Sequence, residues 1–376
     1  MIPFNRPFIV GKELYYMAQT VLGGQISGNG KFTKLCQEWM QDQYGLCKVL
    51  LTHSCTAALE MSALLLNIRP GDEIILPSFT FVSTANAFAL RGAQLRFCDI
   101  RRDTLNIDES LIERLINEKT RAIIPVHYAG VSCEMNAIVS LANKYKISII
   151  EDAAQAVNST YHGRFLGGIG DLGCFSFHET KNFISGEGGA LIINDPDLIE
   201  RAEIIWEKGT NRQKFFRGQV DKYTWVDLGS SFLPSDLIAA FLYAQLEHSE
   251  EITTKRHIVH DTYRHLLSPL EEAGFLSLPV IPPDTTHNAH LFYIILETRQ
   301  IRDGLLRYLE ANEINATFHY IPLHSSPLGR YLSPGQHDLP ITDDISSRLL
   351  RLPCFYGMTE RECSQVVEII RSFLKL

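Results

Sequence analysis

Six short apolar runs, each cut off by a polar or turn-forming residue, recur through the first half of this chain. They constrain its fold more than any other feature. Residues 73–76 (EIIL) stop at Pro77, 94–98 (QLRFC) at Asp99, 122–126 (AIIPV) at His127, and 148–150 (SII) at Glu151 and Asp152. Residues 174–177 (CFSF) stop at His178, and 190–193 (ALII) at Asn194 and Asp195. Runs this short, bounded in this way, read as buried strands. Amphipathic stretches at 85–90, 108–117 and 135–145 lie between them. The alternation predicts an α/β fold whose largely parallel sheet is covered on both faces by helices. Ligands of such sheets sit outside the carboxyl ends of the strands, so the polar residues just past each run are the first candidates for a site.

The pattern changes after about residue 235. Long helices are expected at 236–251 and 255–267, a strand at 291–296, a helix at 301–312, a strand at 316–321 and a closing helix at 359–376. This divides the chain into a large domain, 1–250, and a small α+β domain, 251–376. A length of 376 residues fits that count.

Composition narrows the function. The formal net charge is −8, from 43 acidic and 35 basic residues, which disfavours nucleic-acid binding. No apolar run approaches the length of a membrane span and no apolar leader opens the chain. The eight cysteines form no CxxC pair, and the histidines show no metal-ligand spacing. Free thiols, a cytoplasmic setting, and neither metal nor membrane partner are therefore expected.

One motif misleads. Residues 168–173 (GIGDLG) match GxGxxG, but a dinucleotide fingerprint follows a strand and opens a helix. This one follows a turn and precedes the run at 174–177, so it reads as a turn. A stronger constellation joins three run ends. Asp152 directly follows one strand. Lys181 lies just past another, ahead of the flexible Gly186–Glu187–Gly188–Gly189. Ser54, Cys55 and Thr56 open a helix. A lysine amine to bond an aldehyde, a carboxylate to pair with a pyridine nitrogen, and a helix N-terminus to cradle a phosphate together suit pyridoxal phosphate chemistry.

The ordered segments SCTAALE (54–60), PSFTFVSTANA (77–87), EDAAQ (151–155), SFHETKN (176–182) and GEGGAL (186–191) carry a resemblance. By them the chain resembles the DegT/DnrJ/StrS-type sugar aminotransferases, which have the fold-type-I pyridoxal phosphate architecture, over nearly its whole length. The resemblance implies Lys181 as the cofactor-bonding lysine and proton carrier, and Asp152 as the partner of the ring nitrogen. It implies Gln155 against the ring hydroxyl, Phe81 on the ring face, and Ser54, Cys55, Thr56 and Ser176 around the phosphate. Relatives with histidine in place of the lysine are dehydrases, so Lys181 argues for transamination. A neighbouring subunit's loop, often GYN, completes the phosphate site in this family. Here that loop reads Gly229–Ser230–Ser231, which leaves the Ser231 hydroxyl for the contact in a homodimer with shared sites. The implied substrates are L-glutamate and a nucleotide-linked 4-keto sugar. Arg212, Arg217 and Lys222 are candidates for its diphosphate, and His319, Tyr320 and His324 for the sugar.

Overall fold

A computed structural model describes residues 1–333, 335 and 338–375. Nine strands belong to the large domain: β1 (Lys48–Thr52), β2 (Glu73–Pro77), β3 (Gln94–Cys98), β4 (Thr120–Ile123), β5 (Ser148–Asp152), β6 (Thr160–Tyr161), β7 (Arg164–Phe165), β8 (Leu172–Ser176) and β9 (Gly189–Ile193). Seven of them form one sheet in the order β1-β9-β8-β5-β4-β2-β3. Its pairs from β8 through β5, β4 and β2 to β3 are parallel. The expected sheet is therefore present, with one antiparallel member, β9, between β8 and β1. Because β9 reverses direction, β1, β8 and β5 all end at the same edge.

All six expected runs lie in or against the sheet. The sequence pattern does not single out β1, whose three apolar residues stand between Lys48 and Thr52. Buried residues pack on both faces of the sheet. Cys36, Met40, Ile138 and Ala239 contribute to one apolar cluster, and Ala58, Met61, Phe88 and Ile205 to another.

The small domain is built on β10 (Leu276–Ser277), β12 (Phe292–Leu296) and β13 (Leu349–Leu352), while β11 (Thr285–Thr286) pairs with β6. Helices Arg299–Ala311 and Glu360–Leu374 cover the small sheet. The last helix opens with a reciprocal capping box between Thr359 and Glu362. Leu376, the end of the expected closing helix, lies outside the described residues.

Three expectations need correction. The helix begun at Asp236 ends at Leu246. A second helix, Ser249–Glu272, runs unbroken through 252–254, where a break was expected. Residues 316–321 are not a strand, for only Thr317 pairs, with Arg351. Adjacent His319 and Tyr320 both face a cleft, which strand alternation would forbid, and β13 supplies the third strand of the small sheet. The stretch 108–117 shortens to one α turn, Glu109–Ile112, and one 3-10 turn, Glu113–Leu115.

The 249–272 helix belongs to both halves. Ile252 packs with the large-domain core, and Val259, Tyr263 and Leu267 pack with the small one. Ile2 also lies in the small-domain core. The division at 250 stays a proposal, placed within the first turn of this helix. All eight cysteines are free. No helix among the described residues is long and apolar enough to cross a membrane.

Candidate active site

The shared strand edge opens into a cleft of about 520 Å³, lined among others by Ser54, Cys55, Thr56, Phe81, Asp152, Gln155, Ser176, Lys181, His319 and Tyr320. Asp152 is the last residue of β5 and pairs with Cys174 of the neighbouring β8. Its Oδ2 accepts from Thr84 Oγ1 (2.7 Å), and its Oδ1 from the Ala154 N–H (3.1 Å). Thr84 spends its only proton on Asp152, so Thr80 donates to Thr84 (2.8 Å).

Lys181 sits in the wide loop joining β8 to β9. Backbone bonds from Phe177 to Gly188 and from Glu179 to Gly186 hold that loop, and Gly186 turns it at φ +79°. Burial pushes the Lys181 amine below the usual lysine range, against the opposing pull of Cys55 and Asp152. A larger neutral fraction makes it a better nucleophile and proton acceptor.

The helix Cys55–Leu65 begins at the cleft. Ser54 caps it by accepting from the Ala57 N–H, which leaves the N–H groups of Cys55 and Thr56 without intrahelical acceptors. Thr56 Oγ1 donates to Ser83 (2.8 Å). Burial pushes the Cys55 thiol well up, so it stays neutral and its backbone N–H is the group offered to an anion. Gly189 packs directly under this turn. A Cβ there would stand 2.4 Å from both the Cys55 nitrogen and the Ser54 carbonyl carbon. That close approach explains the last glycine of the GEGG segment. The lysine, the carboxylate and the anion-binding turn thus converge on one cleft, and their donor set fits pyridoxal phosphate.

A profile of the DegT/DnrJ/EryC1/StrS aminotransferase family matches residues 9–371. The chain belongs to that family. It is a transaminase, a sugar aminotransferase of fold type I. Among curated relatives it is 30% identical to the spore coat polysaccharide biosynthesis protein SpsC of Bacillus subtilis, over 100% of this chain and 97% of SpsC. Among solved structures, the aminotransferase TlmJ from Streptoalloteichus hindustanus superposes with a TM-score of 0.92 at 28% identity, covering 100% and 99% of the two chains. The putative sugar aminotransferase Spr1654 of Streptococcus pneumoniae in its PLP form superposes with a TM-score of 0.91 at 25% identity, covering 100% and 98%.

The remaining candidates divide. Gln155 Oε1 accepts from the Ala129 N–H, and its Nε2 donates to Tyr320 OH (2.9 Å), leaving one amide proton for a ligand. Phe81 is 59% exposed and lines the cleft at the start of helix Val82–Ala89. His319 stacks on Tyr320 at 3.9 Å. Burial, then Arg351, push His319 down to about 2, so it stays neutral. His324 does not line the cleft. It is buried against Ser78 (2.7 Å) and Asp343 (3.4 Å), where it pins its loop to the large domain.

Nor does the cleft take in the cationic segment. Arg217 donates to both oxygens of Glu203 (2.5 and 2.6 Å). Arg212 lies 3.8 Å from Glu207 and over the Phe216 ring, and Lys222 is solvent-exposed. Arg212 and Ser231 instead line a second depression together with Ser27, Asn29 and Ser235.

The sequence reading missed Thr84, His290 and Arg351. Thr84 stood within the PSFTFVSTANA segment. His290 lines the cleft, bonded to Asn182 (2.9 Å), and burial and then Lys181 hold it far below the usual histidine range. Arg351 lies on β13, where an arginine reads as surface. Its side chain turns inward to bond His319 Nε2 and lies over Phe4, while its buried Nε has no hydrogen-bond partner among the described residues.

Proposed function

We propose that this enzyme moves the amino group of L-glutamate to C4 of dTDP-4-keto-6-deoxy-D-glucose. The products are 2-oxoglutarate and dTDP-4-amino-4,6-dideoxy-D-galactose, for a cell-surface polysaccharide such as enterobacterial common antigen. The observation carrying the reading is the convergence of Lys181, Asp152 and the Ser54–Thr56 turn in the one cleft that also holds Arg351. The choice of sugar rests on resemblance, since segments 208–225 and 318–324 resemble dTDP-4-amino-4,6-dideoxygalactose transaminase.

Pyridoxal phosphate, when bound, supplies an aldehyde that carries the amino group and a ring that withdraws electrons. Lys181 would hold that aldehyde in the resting enzyme and, once the donor's amino group displaces it, its freed amine would move a proton to or from the carbon bearing nitrogen, as its depressed pKa allows. Asp152, oriented by Thr84, holds a negative charge for the ring nitrogen. Ser54, Ser176 and the N–H groups of Cys55 and Thr56 hold the phosphate, Gln155 meets the ring hydroxyl, and Phe81 covers the ring. Ser231 and the cations Arg212, Arg217 and Lys222 lie outside their own cleft, which supports a homodimer in which they serve the partner's phosphate and nucleotide.

Arg351 supports a carboxylate-bearing donor. Nη1 is committed to His319 and Nε is buried, which leaves Nη2 to donate to a carboxylate oxygen. Arg351→Ala should raise KM for L-glutamate at least ~10-fold, the size of one charge-assisted pair, and change KM for the sugar far less. His319 and Tyr320 face the sugar.

NMR of the product formed from dTDP-4-keto-6-deoxy-D-glucose and L-glutamate tests the reading. An axial 4-amine is expected. An equatorial 4-amine, a 3-amine, or turnover of UDP sugars alone would replace the substrate assignment.

A further inference from the structure

Glu151 precedes Asp152 on β5, so the two side chains leave the strand on opposite faces. Glu151 points away from the cleft and is completely buried, as is His127. Its carboxylate accepts four hydrogen bonds, from the N–H groups of Gly167 (2.8 Å), Ile169 (2.6 Å) and Gly170 (2.7 Å) and from His127 Nε2 (2.9 Å). The GxGxxG-like turn thus wraps an internal carboxylate rather than a dinucleotide. Gly167 makes the turn possible at φ +87°, and a Cβ on Gly173 would stand 2.2 Å from the Gly167 oxygen.

His127 is fixed from its other side as well. Its Nδ1 accepts from the Cys133 N–H (3.2 Å), so the ring proton lies on Nε2 and is donated to Glu151. From this clasp the chain runs straight to the cofactor-facing residues. The His127 N–H donates to the Asp152 carbonyl (3.1 Å), and the Asp152 N–H to the Pro125 carbonyl (2.9 Å). Two residues on, Ala129 takes a left-handed conformation, φ 60°, and its N–H donates to Gln155 Oε1 (2.8 Å).

We propose that Glu151 and His127 are positioning residues for the transamination, which clasp the 125–130 segment and thereby aim Asp152 and Gln155 at the cofactor ring. The inference rests on the role given to Asp152 above. A merely structural His–Glu hydrogen bond would not need the histidine's own backbone N–H on the Asp152 carbonyl, with Pro125 two residues earlier taking the Asp152 N–H. Glu151→Gln puts an amide N–H against donors that cannot accept it. His127→Gln keeps a donor near the Nε2 position, whereas His127→Leu removes it.

The test is the 15N chemical shift of the ring nitrogen in holoenzyme reconstituted with 15N-labelled pyridoxal phosphate, with kcat and KM measured beside it. The shift in wild type and His127→Gln should be that of a protonated nitrogen. In Glu151→Gln and His127→Leu it should move toward the value in Asp152→Asn, with kcat down about tenfold and both KM values unchanged. A folded Glu151→Gln enzyme with the wild-type shift and kcat would overturn the proposal. Should that variant fail to fold, identical shifts and kcat in His127→Gln and His127→Leu would overturn it equally. If Asp152→Asn itself keeps the wild-type shift, it is the role of Asp152 that fails.

Discussion

The floor of the cleft and the cationic segment at 211–223 carry charge in opposite ways. On the floor, Asp152 and Lys181 stand at or just past the ends of adjacent strands, and neighbours such as Thr84 orient them from protected positions. In the segment, partly exposed cations reach for acids beneath or beside them: Lys214 meets the exposed Glu200 (2.6 Å), while Arg217 meets and Arg212 lies near the buried Glu203 and Glu207. The first arrangement follows from sheet topology, which brings strand ends together wherever intervening loops wander. The second depends on tertiary partners that already neutralise much of the charge. A carboxylate at a strand end is thus a firmer pointer to chemistry than a run of cations on a loop.

The comparison can be broken first at Lys181. Lys181→Ala should abolish steady-state release of 2-oxoglutarate, a loss of at least ~10³-fold for a residue that both bonds the cofactor and carries the proton. Retention of even a tenth of the rate would put the proton transfer elsewhere. Asp152→Asn should cost roughly 10²-fold in kcat, measured in the same assay. Thr84→Val, which deletes one charge-assisted hydrogen bond, should cost about tenfold. An unaffected Thr84→Val enzyme would mean that the strand end alone orients the carboxylate.

The segment should respond more weakly. Lys222→Ala should raise KM for the nucleotide sugar by less than ~10-fold and leave KM for L-glutamate alone, as expected of an exposed cation. Arg217→Ala should do less still, because its charge is already taken by Glu203. A larger loss in Arg217→Ala than in Lys222→Ala would show that the Glu203 pair opens when substrate binds, and the contrast between the two regions would narrow.

The same physics decides what could be read in advance. The strand runs, the floor residues and the decoy turn were legible because each depends on a local signal, a short apolar run or the polar residues that end it. Residues 316–321 misled because Thr317, Phe318, Tyr320 and Ile321 give the stretch a strand-like composition, yet adjacent His319 and Tyr320 both face the cleft. His324 resembled a ligand by its neighbours, yet it is buried away from the cleft and bonded to Ser78. Arg351 was invisible, since its inward turn depends on the loop carrying His319 and on Phe4 at the other end of the chain. Ranges can be read from a pattern, but the direction of a long cationic side chain is settled by what lies across the cleft.

The central claim is that Lys181, with Asp152 beneath it, is the working end of the cleft. Borohydride reduction of the resting holoenzyme, followed by peptide mass spectrometry, tests it most directly. The account predicts the reduced cofactor on Lys181 alone, and its disappearance when L-glutamate is added before the borohydride, with one 2-oxoglutarate released per site. A label on another lysine, or on Lys181 regardless of glutamate, would contradict it.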